Sequence, residues 1–241
     1  KSGDYTDWQD LMYRNGFIQS YHLGISNSGE KTQLYLSFKY DDEQGYYRTH
    51  DVKNLNLTLT ADHELASFWK IGSSIRLRRN SNSGYKTIGN DILYMTPLAK
   101  PYKENGEMDF FPNPINTSGY NPLANYLPGQ FIDDTQKNII NLNLTSDIKI
   151  TNWLSMHTNF GFIYNNYEKG YFYGKDSHNN KGVKNSSGKN YNKYDQYTLN
   201  HIISYDKSFG DHHLTADLVG EIQSYRYEES ALSGENQPGE Y

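Results

Sequence analysis

Side chains that could bind a metal or act as acid and base are common in this sequence, with 28 Asp and Glu and 8 His, but their spacing argues against both roles. Asp211-His212-His213 sets two imidazoles beside a carboxylate, but neighbouring side chains on a strand point to opposite faces. The acidic runs Asp41-Asp42-Glu43 and Asp133-Asp134 lack the spaced oxygen ligands of a dedicated calcium loop. No HExxH, Walker, GxGxxG or GxSxG motif is present. We therefore expect solvated turns here, with no metal, no cofactor and no enzymatic activity.

Aromatic rings suggest a second kind of chemistry, which is recognition without reaction. The chain has 23 Tyr, 10 Phe and 3 Trp, and many of the rings fall in stretches rich in Pro, Gly and Asn. A ring presents a flat apolar face to a sugar, and a phenol adds a hydrogen bond. The candidates for substrate contact are Tyr94, Tyr102, Phe110, Phe111, Tyr120, Tyr126, Tyr171 and Tyr173, with Tyr85 and Phe172 beside them. The same rings could equally pack the loops against themselves or against a partner protein.

The composition describes a polar chain without an oily interior. Hydrophobic residues make up 35% of the 241 residues, and the mean hydropathy is -0.87. The net charge is -5 and no basic stretch dominates, so nucleic acid is not expected as a partner. The absence of cysteine excludes disulfides and Cys-ligated zinc. The sequence contains no run of about eighteen apolar residues, so it predicts no membrane-spanning helix.

Period-2 alternation and turn residues predict eight strands. The predicted connections alternate between short turns and long loops, and the long loops include about 80–136 and 174–193. This alternation is typical of an up-and-down membrane barrel with short periplasmic turns, whereas a sandwich has Greek-key crossings. The predicted strands are about 17–26, 33–40, 53–61, 69–79, 138–150, 154–164, 194–205 and 213–225.

The two sides of these strands differ in polarity. In the stretch LNLTLT, Leu55, Leu57 and Leu59 alternate with polar residues that would each need a partner in a dry core. We therefore expect the leucines to face lipid and the opposite side to face a wet lumen. The residues predicted to face the lumen include Arg76, Arg78, Asn141, Asn143, Asp217 and Glu221.

Two tryptophans lie at predicted short turns. Trp69 and Trp153 each follow an acidic residue at such a turn, and neither lies in a long loop. This position is expected for an aromatic girdle at the interface between headgroups and hydrocarbon. The alternative is that they cap the turns as core residues.

We expect the chain to be part of a larger barrel, although eight strands can close a small barrel alone. If the short turns are periplasmic, both ends of the chain lie on the outer side, and the sequence ends in a loop-like stretch, SGENQPGEY. Eight strands from the middle of a larger barrel explain both features. The chain opens KSGDYTDW without a signal peptide, so an exported protein would need a longer N-terminus.

An ordered set of short motifs resembles the barrel of SusC/RagA-type TonB-dependent transporters. The matching positions are Thr6-Asp7-Trp8, Gly16-Phe17, Lys31-Thr32, Leu36-Ser37 and Trp69 to Gly72, and the pieces NPLANY at 121–126 and YTLNHIISYDKSFGDHHLTADLVGE are also similar. The likeness covers most of the chain and is weakest in the long loops.

The resemblance implies properties that the strand pattern alone does not. Members of this family are outer-membrane barrels of about twenty-two strands in Gram-negative bacteria, filled by an N-terminal plug domain. They import glycans or peptides with energy passed from the TonB complex, under a surface lipoprotein of the SusD type. Residues 1–241 would then be a partial barrel domain of about eight transmembrane strands in contact with outer-membrane lipid, without the plug or the TonB box. The alternative is a secreted or surface all-β carbohydrate-binding protein.

Overall fold

The computed structural model describes residues 5–84 and 89–238. In these residues eight strands form one antiparallel sheet in sequence order, and β1 and β8 are its two edges. The predicted all-β, up-and-down arrangement is therefore confirmed. The strands are β1 (Phe17–Ser28), β2 (Thr32–Gln44), β3 (Asp51–Ala66), β4 (Trp69–Ser83), β5 (Phe131–Thr151), β6 (Leu154–Tyr173), β7 (Ser186–Phe209) and β8 (His212–Glu235).

The connections alternate in length, as the sequence predicts. Turns of two or three residues (29–31, 67–68, 152–153 and 210–211) join the strands at one end of the sheet, which we call the short-turn end. Segments 45–50, 84–130 and 174–185 join them at the other end, which we call the loop end. Gly210 has φ 59, a left-handed conformation that a tight turn needs and that glycine adopts without strain.

Several strands extend further toward the loop end than the alternation predicts. The sequence places the start of β5 near 138 and of β7 near 194, but they begin at Phe131 and Ser186. β8 continues to Glu235, so the first three residues of the predicted loop-like stretch SGENQPGEY are strand. The extensions of β5 and β7 are polar over most of their length, so they show no clear apolar alternation, but their backbones still pair with the neighbouring strands. The predicted loops of about 80–136 and 174–193 are correspondingly shorter, at 84–130 and 174–185.

Short helices, which the sequence pattern does not predict, lie outside the sheet. They are α1 (Trp8–Met12), α2 (Gly89–Leu93) and a 3-10 helix (Pro122–Tyr126). The carboxylate of Asp7 caps α1 by accepting from the backbone N–H groups of Gln9 and Asp10 at 3.0 and 3.1 Å. In the described ranges, no helix has the length and apolar character needed to cross a bilayer.

The main buried apolar cluster lies at the loop end and not under the sheet. Trp8 and Met12 of α1 pack there with Tyr47 and with residues of segment 84–130. By contrast, Leu57, Leu142 and Phe160 on the strands are only partly covered. The sheet therefore does not enclose a dry core among the described residues. The buried members of the cluster are Trp8, Met12, Tyr47, Ile92, Met95, Ala99 and Leu123.

Candidate functional site

One face of the sheet, which we call the polar face, carries all six residues that the sequence predicts to line a lumen. Directly paired residues on antiparallel strands share a face. Arg76 pairs with Asn141, and Asn143 pairs with Gly161. Following the same register across β6 and β7 brings Glu221 and Asp217 to this face as well. The Nε of Arg78 donates to Oδ1 of Asn56 at 3.0 Å, which links two neighbouring strands on the polar face.

The opposite face, which we call the apolar face, carries a continuous band of large aliphatic and aromatic side chains. Leu57 pairs with Leu77, and Leu142 pairs with Phe162. On β5 the band runs from Ile140 to Ile150, which is about 34 Å along the strand. These side chains stay partly exposed to the surroundings, as expected of a surface that meets lipid.

The band runs obliquely across the strands. On β2 the band extends from Leu34 to Tyr40, and its midpoint is Ser37. When the pairing is followed from strand to strand, the residue of β8 level with Ser37 is Tyr225. On β8 the band is instead centred on Leu218, about seven residues or 24 Å further along. Six strand spacings of about 4.8 Å separate β2 from β8, so the drift corresponds to a strand tilt of about 40°.

At that tilt the β5 band spans about 26 Å of height, close to the apolar belt of a membrane barrel. A flat sheet with one buried face has no reason to show an oblique band. The tilt and height are therefore those expected of the wall of a transmembrane barrel.

Trp69 and Trp153 both lie at the short-turn end, beside the edge of the apolar band that is nearest to that end. Trp69 is 38% exposed, and its indole N–H donates to Oγ of Ser146 at 2.9 Å. Trp153 is 37% exposed and packs edge-to-face on Tyr205 at 5.3 Å between ring centroids. The ammonium of Lys207 lies 4.9 Å from the centroid of the Trp153 ring. Neither indole is a buried turn cap, and each combines an apolar body with a polar contact.

The loop end carries a folded cap, which comprises α1, segment 84–130 where described, and segment 174–185. The indole N–H of Trp8 donates to the Thr96 carbonyl at 3.2 Å, and the Tyr126 hydroxyl donates to the Met12 carbonyl at 3.1 Å. Burial raises the pKa of the Tyr126 phenol, so this donor stays protonated. Long-range hydrogen bonds thus hold the N-terminal residues onto the long loop.

Asn121 organises the centre of the cap. Its side chain is fully buried, and its amide donates to the carbonyls of Pro101 at 3.0 Å and Asp109 at 2.8 Å. Its Oδ1 accepts from the backbone N–H of Leu123 at 3.0 Å and so caps the 3-10 helix. In the sequence, Asn121 stands out only as the first residue of the NPLANY piece, although Asn followed by Pro is an N-terminal helix signal.

The predicted substrate-contacting aromatics divide into packed and exposed groups. Tyr120 is 2% exposed, lies 5.5 and 5.2 Å from the rings of Phe110 and Phe111, and donates to the Asp176 carbonyl at 3.1 Å. Burial raises the pKa of Tyr120 to about 12. Tyr120 and Tyr126 therefore hold the cap together. Tyr94, Tyr102 and Phe111 are exposed, and Tyr85 lies outside the described residues.

Tyr171 and Tyr173 lie on the polar face where β6 reaches the loop end. Their rings stack at 5.0 Å, and the ring of Phe131 stacks on Tyr173 at 5.4 Å. The Tyr173 hydroxyl donates to the buried carboxylate of Asp133. These rings form a rigid platform at the rim of the polar face.

His178, which the sequence reading did not consider, joins the two loop segments of the cap. Its Nε2 lies 3.7 Å from Oδ2 of Asp91 on α2, and its backbone N–H donates to Oδ1 of Asn125 at 2.8 Å. Burial lowers the pKa of the His178 imidazole, and the Asp91 carboxylate opposes that shift. No local sequence signal marks this contact, since its partners lie more than fifty residues away.

These features define a class of protein, namely a transmembrane β-barrel whose wall has one apolar face and one polar face. Comparison with known proteins narrows the class. No family model matches the chain. TonB-dependent receptor P3 of Formosa agariphila is 23% identical over 240 residues, covering 95% of this chain and 23% of that protein. TonB-dependent receptor P26 of the same organism is 25% identical over 123 residues, covering 49% of this chain and 12% of that protein.

Solved structures give the same result for the fold. The RagAB peptide importer superposes with a TM-score of 0.78 in its open-open state and 0.74 in its closed-closed state, at 16% identity. The matches cover 98% and 96% of this chain and 27% of the RagAB chain. The resemblance to SusC/RagA-type TonB-dependent receptors is therefore confirmed, and this chain spans about a quarter of the length of the proteins it matches.

Proposed function

We propose that these residues form part of the barrel wall of a TonB-dependent transporter in the outer membrane of a Gram-negative bacterium. The observation that carries the proposal is the oblique apolar band, because its tilt and height fit a bilayer-spanning barrel and nothing in a water-soluble sandwich requires them. The likeness to TonB-dependent receptors and to RagAB supports it. In this proposal the segment performs no chemistry of its own.

On this proposal the two faces have separate roles. The apolar face contacts outer-membrane lipid, with Trp69 and Trp153 in the girdle at the periplasmic interface. The polar face borders a water-filled passage. Energy would come from the TonB complex through a plug domain and TonB box that lie outside these residues.

The cap faces the cell exterior in this arrangement, where substrate and partner would bind. RagAB is described as a peptide importer, and the family resemblance extends to glycans. We propose an oligomeric glycan or peptide as substrate and a SusD-like surface lipoprotein as partner. The exposed rings of Tyr94, Tyr102 and Phe111 are available to contact either one.

The absence of cysteine from these 241 residues permits a direct test. Asn143→Cys on the polar face and Leu144→Cys on the apolar face are adjacent, so depth in the membrane is nearly constant between them. In the full-length receptor in its native membrane, we expect a water-soluble maleimide to label Asn143→Cys and not Leu144→Cys. Gly29→Cys in a short turn should be labelled only after the outer membrane is permeabilised. Equal labelling at 143 and 144 would overturn the proposal.

A further inference from the structure

Three cations on the polar face stand apart from any acidic partner. Arg76, Arg78 and Lys137 all lie on this face, since Arg78 is two residues from Arg76 on β4 and Lys137 pairs with Asn80, two residues further on. Within residues 5–84 and 89–238, none of the three forms an ion pair. We call them the cationic patch.

Two other cations of the polar face, by contrast, each lie beside a carboxylate. Lys39 lies 3.0 Å from the carboxylate of Asp41, and Lys169 lies 3.1 Å from that of Asp133. Of the other acids on the polar face, Glu43 on β2 and Glu229 and Glu235 on β8 lie near the loop end, at least two strands from β4, and the rest lie toward the short-turn end. Asp62, for example, pairs with Gly72, which is about 13 Å along β4 from Arg76 and too far for an ion pair.

The patch also borders a hollow in the wall. A cavity of about 500 Å³ is lined by Arg76 together with amide and hydroxyl side chains. Gly161 contributes no side chain, and a Cβ built there would approach Thr198 Cβ at 3.8 Å, so the hollow is open above it. The other lining residues on the polar face are Ser74, Asn141, Asn143, Ile163 and Thr198.

The donor set suits one kind of ligand. A guanidinium binds a carboxylate or sulfate through two parallel hydrogen bonds. The bond from Arg78 Nε to Asn56 orients its guanidinium and leaves the terminal nitrogens available. Asparagine amides and hydroxyls beside Arg76 can pair with neutral hydroxyl or amide groups of the same ligand.

We propose that the cationic patch binds anionic substituents, carboxylate or sulfate, on the oligomer that passes this wall. The inference rests on the proposed transport function and adds the charge of the substrate to it. An acidic sugar and an acidic peptide side chain offer the same chemistry, so the test includes both.

The test uses the full-length receptor purified in detergent, with heat-modifiable gel migration to verify that each variant is folded. The probes are oligogalacturonate with its methyl ester, and a Glu-rich peptide with its Gln counterpart. We expect at least one acidic probe to bind more tightly than its neutral match. The double variant Arg76→Gln/Arg78→Gln should weaken that binding about tenfold or more, since charge-assisted hydrogen bonds are lost.

Arg79→Gln is the matched control, because Arg79 is the next residue on β4 but lies on the apolar face, where it donates to Gln136 at 2.9 Å. It should bind the acidic probe as the unaltered receptor does. The inference is overturned if neither acidic probe binds, if the neutral match binds equally well, or if Arg79→Gln loses as much affinity as the double variant. A receptor that inserts and transports without charge discrimination would refute this inference alone, whereas one that never enters the membrane would refute the transport function.

Discussion

Leu144→Arg should reveal which face of the sheet meets lipid. Leu144 lies near the middle of the Ile140–Ile150 band on β5 and pairs with Phe160 on β6. Its side chain is 42% exposed, so an arginine would fit sterically and the effect of the substitution reports on the surroundings. In a barrel wall those surroundings are the centre of the bilayer.

The expected cost follows from depth in the membrane. Arginine on the lipid face of a barrel costs about 2–4 kcal/mol at the midplane and about 0–1 kcal/mol near the interfaces. Asn138 lies on the same face as Leu144 but above the apolar band, so Asn138→Arg should cost about 0–1 kcal/mol. Asn143→Arg places the charge on the polar face at nearly the same depth and should change stability by less than about 1 kcal/mol.

The assay is urea unfolding of the full-length receptor refolded into phospholipid vesicles, with each variant compared by its midpoint and slope. The expected order of destabilisation is Leu144→Arg, then Asn138→Arg, with Asn143→Arg nearly neutral. If Asn143→Arg is the costly variant, the two faces have been exchanged. If all three are equal, the band does not contact lipid.

Three further predictions concern the cap. Burial lowers the pKa of His178 from its ordinary value of 6.5, so segment 174–185 takes up a proton more readily when it is undocked than when it is docked. Docking of this segment should therefore weaken as the pH falls below about 6.5. Hydrogen exchange in the segment, compared at about pH 7.5 and about pH 5.5, measures this. Asn121→Ala removes three hydrogen bonds from a buried site and should destabilise the cap by about 1–3 kcal/mol, seen as faster proteolysis of segment 84–130. Gly84→Ala sets a Cβ 1.7 Å from the Thr49 carbonyl oxygen at φ 87 and should cost more than about 2 kcal/mol in the same assay.

Matched variants separate these effects from general damage. His178→Phe should abolish the added exchange at low pH, and an unchanged pH response in that variant would assign it to another group. Asn105→Ala removes one exposed hydrogen bond, which Oδ1 of Asn105 accepts from the Glu107 N–H. This substitution should cost less than about 0.5 kcal/mol. Gly106 has φ 84 with nothing within 4 Å of a built Cβ, so Gly106→Ala should show only backbone strain of about 1–2 kcal/mol. Equal effects at 84 and 106 would contradict the predicted clash.

The existence of the strands and the polarity of their two faces were predictable where apolar and polar residues alternate. The hairpin of β3 and β4 shows this, because Leu55, Leu57 and Leu59 alternate with polar residues, as expected of a barrel wall with one apolar and one polar face. The strands beyond the band were not predictable to their ends. At the loop end of β7, for instance, water reaches both faces, so Asn190 and Lys193 carry no periodic signal although the ladder continues.

The sequence by itself therefore determines that this protein is an up-and-down membrane wall, since alternation is a local property of each strand. The tertiary structure alone decides the register, and with it the tilt of the band and the isolation of Arg76, Arg78 and Lys137 from the acids. It also decides that Tyr120 is buried in the cap, because its partner Asp176 is distant in sequence. Pairing between strands and contacts between loops depend on side chains that meet only after the chain has folded, and no local pattern encodes which of them will meet.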